Sequence, residues 1–120
     1  MNSAPKSSLL AVRTSVEEEL EVFLSREGGY LREISPDLTI VCDSLSSFLL
    51  ERGKRLRPLF AYAGFIAAGG ATEKSTLKAI ASLELLQACA LIHDDLMDAS
   101  DTRRGKPSIH RHFESIHIQD

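Results

Sequence analysis

Glycines and prolines cut this chain into segments whose apolar residues recur at helical spacing, and no run alternates apolar with polar residues as a half-buried strand would. Val16, Leu20, Phe23 and Leu24 stand at i, i+4, i+7 and i+8 behind a Ser15–Glu18 capping-box pattern. That spacing predicts a first amphipathic helix running to Gly28-Gly29, with Glu17, Glu18, Glu19 and Glu21 as solvated surface. Ser35 as cap and Pro36 at the first helical position announce a second helix, with Leu38, Val41, Cys42, Leu45, Phe48 and Leu49 in one stripe before Gly53 stops it. Pro58 opens a third, PLFAYAGFIAA, which is apolar nearly all round and therefore expected to be buried until Gly69-Gly70 ends it. Thr72 or Ser75 caps a long fourth helix through LKAIASLELLQACALIHDDLMDA, where helix formers dominate. The fold class is all-α, an antiparallel helical bundle with short loops.

The 120 residues, 43% hydrophobic and 26% charged, are enough for one modest core, so the chain is one domain or part of one. Residues 1–12 carry no apolar run long enough for a secretory signal and are expected to fray, leaving 13–120 as the folded part. No window is expected to be long enough to span a membrane. A net charge of -3 gives no overall footprint for nucleic acid or an anionic membrane. Cys42 and Cys89 lie in apolar stretches as small hydrophobes rather than as a disulfide framework, which fits a reducing, cytoplasmic setting.

The most informative stretch is His93-Asp94-Asp95-Leu96-Met97-Asp98-Ala99-Ser100-Asp101. On a helix Asp94, Asp98 and Asp101 fall at i, i+4 and i+7, on one face within roughly 10 Å of axis. Each like-charged i,i+4 pair is unfavourable by about 0.2–0.5 kcal/mol, and the helix C-terminus adds further opposition to negative charge. A cation would offset this. Oxygen ligands without cysteine suit a hard ion, and Mg2+ takes one or two carboxylates and fills its remaining positions with water and phosphate oxygens. The alternative, a solvated acidic helix end paired with Arg103, Arg104 and Lys106, stays open on spacing alone. Ser82–Ile92 upstream is strongly apolar, so the acids are expected to terminate a buried helix. Gln87, seven residues before Asp94, shares its face and could donate to a phosphate oxygen or to a neighbouring backbone.

A second charged cluster, Gly53-Lys54-Arg55-Leu56-Arg57-Pro58, sets three cations before the third helix, where the macrodipole opposes positive charge and favours an anion. Lysine as a point charge and arginine as a planar fork suit a diphosphate. A solvated basic loop is the plainer reading of this turn taken alone.

GKRLRP at 53–58, LELLQ at 83–87, and DDLMD followed by RRGKP across 94–107 together resemble, in order and spacing, the successive signatures of trans-isoprenyl (polyprenyl) diphosphate synthases of the farnesyl/geranylgeranyl type. The resemblance implies an isoprenoid-synthase helical fold and a Mg2+-dependent prenyltransferase joining an allylic diphosphate to isopentenyl diphosphate. It implies metal ligation by Asp94 and Asp98, with Asp95 as the middle acid of the catalytic motif and Asp101 as an additional one. It assigns Arg103 to the allylic diphosphate, and Lys54, Arg57, Gln87 and Arg104 to isopentenyl diphosphate. It also makes Cys89 and Ala90, small residues about one turn before the aspartates, determinants of chain length that favour geranylgeranyl or longer products. The family is usually homodimeric. Arg52 departs from the family pattern, standing where many relatives have the first glycine of a GGK turn. Family members are also longer and carry a second aspartate-rich motif on a later helix, so these 120 residues are expected to be a fragment with little turnover.

Competing readings are a class I terpene cyclase, which needs no second diphosphate site, and a non-catalytic subunit of a prenyl synthase. A zinc cluster of His93, His110, His112 and His117 lacks a recognised ligand spacing, and histidines in a solvated polar tail are the simpler expectation.

Overall fold

The computed structural model describes residues 5–51 and 53–119. The expectations for residues 1–4 and for the turn at Arg52 lie outside them. The described chain runs α1 (Pro5–Ile34), a 3-10 turn (Pro36–Leu38), α2 (Thr39–Leu50), α3 (Leu56–Ala67), α4 (Lys74–Met97), a hairpin of β1 (Thr102–Arg103) and β2 (Lys106–Pro107), and α5 (Ile109–Gln119). It forms two compact units, one ending at Leu85 and one beginning at Leu86.

The core of the first unit is a stripe of α1, Val12, Val16 and Leu20, set against Ile80 and Ala81 of α4, with Leu50, Leu59, Ala61, Tyr62, Leu77 and Leu85 around it. Full burial of one such aliphatic side chain stabilises by about 1.5–3 kcal/mol, so this stripe dominates the unit's packing. It also explains why α1 is longer than its local signals suggest. Val12 lies one turn before Val16 on the same face, so the helix is packed upstream of Ser15, and the described part of the segment expected to fray, residues 5–12, is helical. The Ser15–Glu18 pattern is therefore not a cap.

Nor do Gly28 and Gly29 end α1. A Cβ on Gly28 would stand 3.8 Å from Cys42 Cβ and Sγ and 3.3 Å from the Arg32 guanidinium, so the missing side chain lets α2 approach closely. The Cys42 thiol faces the Gly28 carbonyl at 3.8 Å, and this packing outweighs the glycine's roughly 1 kcal/mol helix penalty.

The second helix begins as its sequence indicates. The Ser35 hydroxyl accepts from the Asp37 N–H at 3.2 Å and caps the Pro36 turn, which leads directly into α2, where Cys42 and Leu49 are buried.

Two burial expectations are corrected. On α3 only Pro58 is buried; Phe60 is 74% exposed, and Phe65 and Ile66 are exposed as well. On α4 beyond the first unit Ala88 is buried, but Leu86 is 68% exposed and Cys89 and Ala90 are exposed. A helix apolar on every side needs neighbours on every side, and among the described residues these helices have them on one.

In the second unit Ala88, Asp95, Ser108 and Ile109 are buried. The hairpin contradicts the expectation of no strands: Thr102 pairs with Pro107 and Arg103 with Lys106 across a two-residue turn. Arg104 and Gly105 at that turn have φ of 53 and 77, the positive pair that a type I′ turn requires. The histidines expected in a solvated polar tail lie on α5, which carries His110, His112 and His117, and both ring nitrogens of His110 are buried.

Candidate functional site

The acidic stretch lies where α4 ends. The Asp98 N–H still bonds the Asp94 carbonyl at 2.9 Å, so these two residues remain in helical register. The Ala99 N–H then returns to Leu96 at 3.3 Å and the Ser100 N–H to Asp95 at 2.9 Å, with Ala99 left-handed at φ 54. This is a Schellman ending. It reverses the chain before Asp101, which therefore leaves the expected i, i+4, i+7 stripe. Asp101 instead accepts from Arg111 Nε at 2.9 Å, and its carbonyl accepts from the Ser108 N–H at 2.9 Å. Ser108 is fully buried and its hydroxyl donates to the Ser100 carbonyl at 2.7 Å, closing the loop that holds the hairpin.

Asp95 points away from its acidic neighbours. It is 3% exposed, and Arg103 grips it with two hydrogen bonds, Nε to Oδ2 at 2.7 Å and Nη2 to Oδ1 at 2.8 Å. Those hydrogen bonds hold the Asp95 carboxyl below its ordinary range against the opposing effect of burial, and the same pair raises Arg103. Asp94 and Asp98, by contrast, are exposed, and no hydrogen bond or ion pair engages either carboxylate among the described residues. The acid–base pairing weighed as an alternative in the sequence is realised at Asp95–Arg103, whereas Asp101 pairs with Arg111, which that alternative did not include.

Among the described residues no three His, Cys, Asp or Glu side chains converge as a ready metal cage. Two carboxylates of oxygen-only character match Mg2+, which completes its octahedron with water and substrate oxygens. Gln87 is half-buried on α4. His93 Nδ1 lies 2.8 Å from the Cys89 carbonyl, and the Cys89 thiol lies 3.7 Å from the same nitrogen.

The basic turn belongs to the first unit, and its three cations do not form one exposed cluster. Arg55 is left-handed, φ 53, and turned inward at 7% exposure, whereas Lys54 and Arg57 are exposed. α3 starts at Leu56, so Arg57 lies in its first turn and Pro58 follows two residues into the helix. Sequence reasoning missed the pairing of Arg55, because its partner Glu84 lies 29 residues away on another helix.

The Polyprenyl synthetase family model matches residues 39–119, and the chain belongs to that family. It is 45% identical over 67 residues to geranylgeranyl pyrophosphate synthase 11, chloroplastic, of Arabidopsis thaliana, covering 54% of this chain and 18% of that protein. It is 38% identical over 96 residues to heptaprenyl diphosphate synthase component 2 of Geobacillus stearothermophilus, covering 79% of this chain and 26% of that one. The crystal structure of geranylgeranyl pyrophosphate synthase from Corynebacterium glutamicum, complexed with isoprenyl diphosphate and magnesium, superposes with a TM-score of 0.81 at 45% identity, covering 90% of this chain and 32% of that one. The chain thus spans about a fifth to a third of the length of these relatives.

One further expectation is corrected: α4 is long and apolar enough to cross a membrane by length and composition alone. The whole helix lies within the family match, and its Ile80 and Ala81 are packed in the first unit's core, which supports its place as a bundle helix.

Proposed function

We propose that this chain supplies the first aspartate motif and the isopentenyl-diphosphate cations of a prenyltransferase that condenses an allylic diphosphate with isopentenyl diphosphate. The observation that carries this reading is the sorting of the acids at the end of α4. Asp95 is neutralised by Arg103, while Asp94 and Asp98 stay in register and exposed, with no hydrogen bond or close ion pair to either carboxylate among the described residues.

In this reading Asp94 and Asp98 hold Mg2+, which when bound supplies positive charge to a leaving diphosphate. Arg103, already oriented by Asp95, is poised to add a fixed cation where negative charge develops as the allylic C–O bond ionises. Lys54 and Arg57, with Gln87 and Arg104, bind the diphosphate of isopentenyl diphosphate, whose double bond attacks the allylic cation before a proton is lost. Helical walls exclude water from that cation. Cys89 and Ala90 leave room for a growing chain, which favours geranylgeranyl or longer products. Because the chain spans only 18% to 26% of the curated relatives compared above, turnover by these 120 residues alone is expected to be slight.

Equilibrium dialysis with labelled isopentenyl diphosphate tests the reading. Binding by the chain and its loss in Lys54→Ala/Arg57→Ala is the expected result. A chain that retains an allylic diphosphate but never isopentenyl diphosphate would instead fit a class I terpene cyclase.

A further inference from the structure

The basic turn is held by a network that spans three helices of the first unit. Arg55 Nη1 donates to Glu84 Oε2 of α4 at 2.6 Å, and Nη2 donates to the Leu49 carbonyl at the end of α2 at 2.8 Å. From α1, Arg13 Nη2 donates to the Gly53 carbonyl at 2.8 Å. Glu17 joins the two arginines, its Oε1 lying 3.5 Å from Arg13 Nε and 3.7 Å from Arg55 Nε. This corrects the expectation that Glu17 is merely solvated surface.

Such a structure is unfavourable unless something holds it. A non-glycine residue at φ 53 is strained, and a charged guanidinium whose side chain is 5% exposed is costly to bury unless it is paired. Here one planar fork grips a carboxylate and a backbone carbonyl in fixed directions, which a lysine's single point charge could not do, while its Nε makes no hydrogen bond and only faces Glu17 at 3.7 Å. Beside this left-handed turn Lys54 and Arg57 are exposed, while Arg55 itself faces inward.

We infer that Arg55, clamped by Glu84, is a positioning residue that presents Lys54 and Arg57 to a diphosphate, with Arg13 and Glu17 of α1 as its brace. This rests on the reading of Lys54 and Arg57 as diphosphate ligands. Binding sites depend on such supporting contacts because a loosely held ligand residue loses the geometry that gives it affinity.

The test uses the 120-residue chain, inorganic pyrophosphate without divalent ions, and two readouts. Glu84→Gln keeps the shape of the side chain and removes its charge, and Arg55→Lys keeps the charge and removes the fork. Hydrogen exchange at residues 53–57 should accelerate in both variants. Calorimetric affinity for pyrophosphate should fall about tenfold, the equivalent of one charge-assisted hydrogen bond. Far-UV circular dichroism establishes that the variants remain helical, and if Arg55→Lys unfolds, Glu84→Gln decides alone. Unchanged exchange in Glu84→Gln overturns the clamp. Faster exchange with unchanged affinity, while Lys54→Ala still weakens binding, makes the network purely structural and overturns the positioning role. If the wild-type chain binds no pyrophosphate, or Lys54→Ala binds as well as wild type, the diphosphate reading fails and the positioning role falls with it.

Discussion

Arg103 reaches back across the reversal that ends α4 and takes Asp95 in a bidentate grip, with Nε and Nη2 at 2.7 and 2.8 Å from its two carboxylate oxygens. The pair divides labour within the DDLMD stretch. Successive helical residues are turned by about 100°, so a carboxylate bound inward at 95 leaves those at 94 and 98 on the exposed side. It also anchors the hairpin that carries Arg104.

Removing this pair should be felt as stability. Asp95→Ala leaves a half-buried guanidinium without its acceptor and should destabilise the second unit by about 2 kcal/mol. Urea denaturation followed by circular dichroism measures this; an unchanged midpoint would mean that the pair contributes nothing.

The same pair sets a pH dependence. The Asp95 carboxyl is lowered from its ordinary 3.8, chiefly by the Arg103 hydrogen bonds, so the folded state holds its proton less tightly than the unfolded one. The stabilisation is complete above 3.8 and is lost as pH falls through the lower folded value. The urea midpoint of the wild type should therefore fall on acidification below 3.8 by more than that of Asp95→Asn. Parallel curves would remove Asp95 from the acid transition.

The endings of α3 and α4 use the same Schellman geometry with different residues. Gly69 occupies the left-handed position of α3 at φ 90, and Ala99 that of α4 at φ 54. Glycine is at ease there and alanine is not, so Ala99→Gly should stabilise the chain by up to about 1 kcal/mol. A loss of stability in thermal denaturation would contradict the assignment of this turn.

Much of the helical order was legible because its punctuation is chemical. Ser35-Pro36 caps and starts, and Gly69 supplies the positive φ that ends α3. The boundaries of α1 were not, since its extension past Ser15 and through Gly28 depends on Val12 meeting α4 and Cys42 approaching across α2, which no local pattern displays. Strands of two residues are too short to show alternation, and the sequence of α5 was read as a polar tail. At the site, helical spacing grouped Asp94 and Asp98 with Asp101, and only the first two keep helical register. The departure of Asp101 turned on an alanine adopting a left-handed conformation that its side chain does not advertise.

Burial separates the apolar residues that hold the chain together from those that do not. Leu20→Ala, at 1% exposure, should cost about 2–5 kcal/mol. Phe60→Ala, at 74% exposure, should change stability by less than about 0.5 kcal/mol. Equal costs in denaturant would mean that the core lies elsewhere.

Titration calorimetry of inorganic pyrophosphate, with and without Mg2+, on the wild-type chain and on Asp94→Ala/Asp98→Ala tests the acidic helix end most directly. Binding strengthened by Mg2+ in the wild type, with that enhancement lost in the double variant, is the expected result. Pyrophosphate binding indifferent to Mg2+, or an enhancement that survives without the two carboxylates, would contradict it.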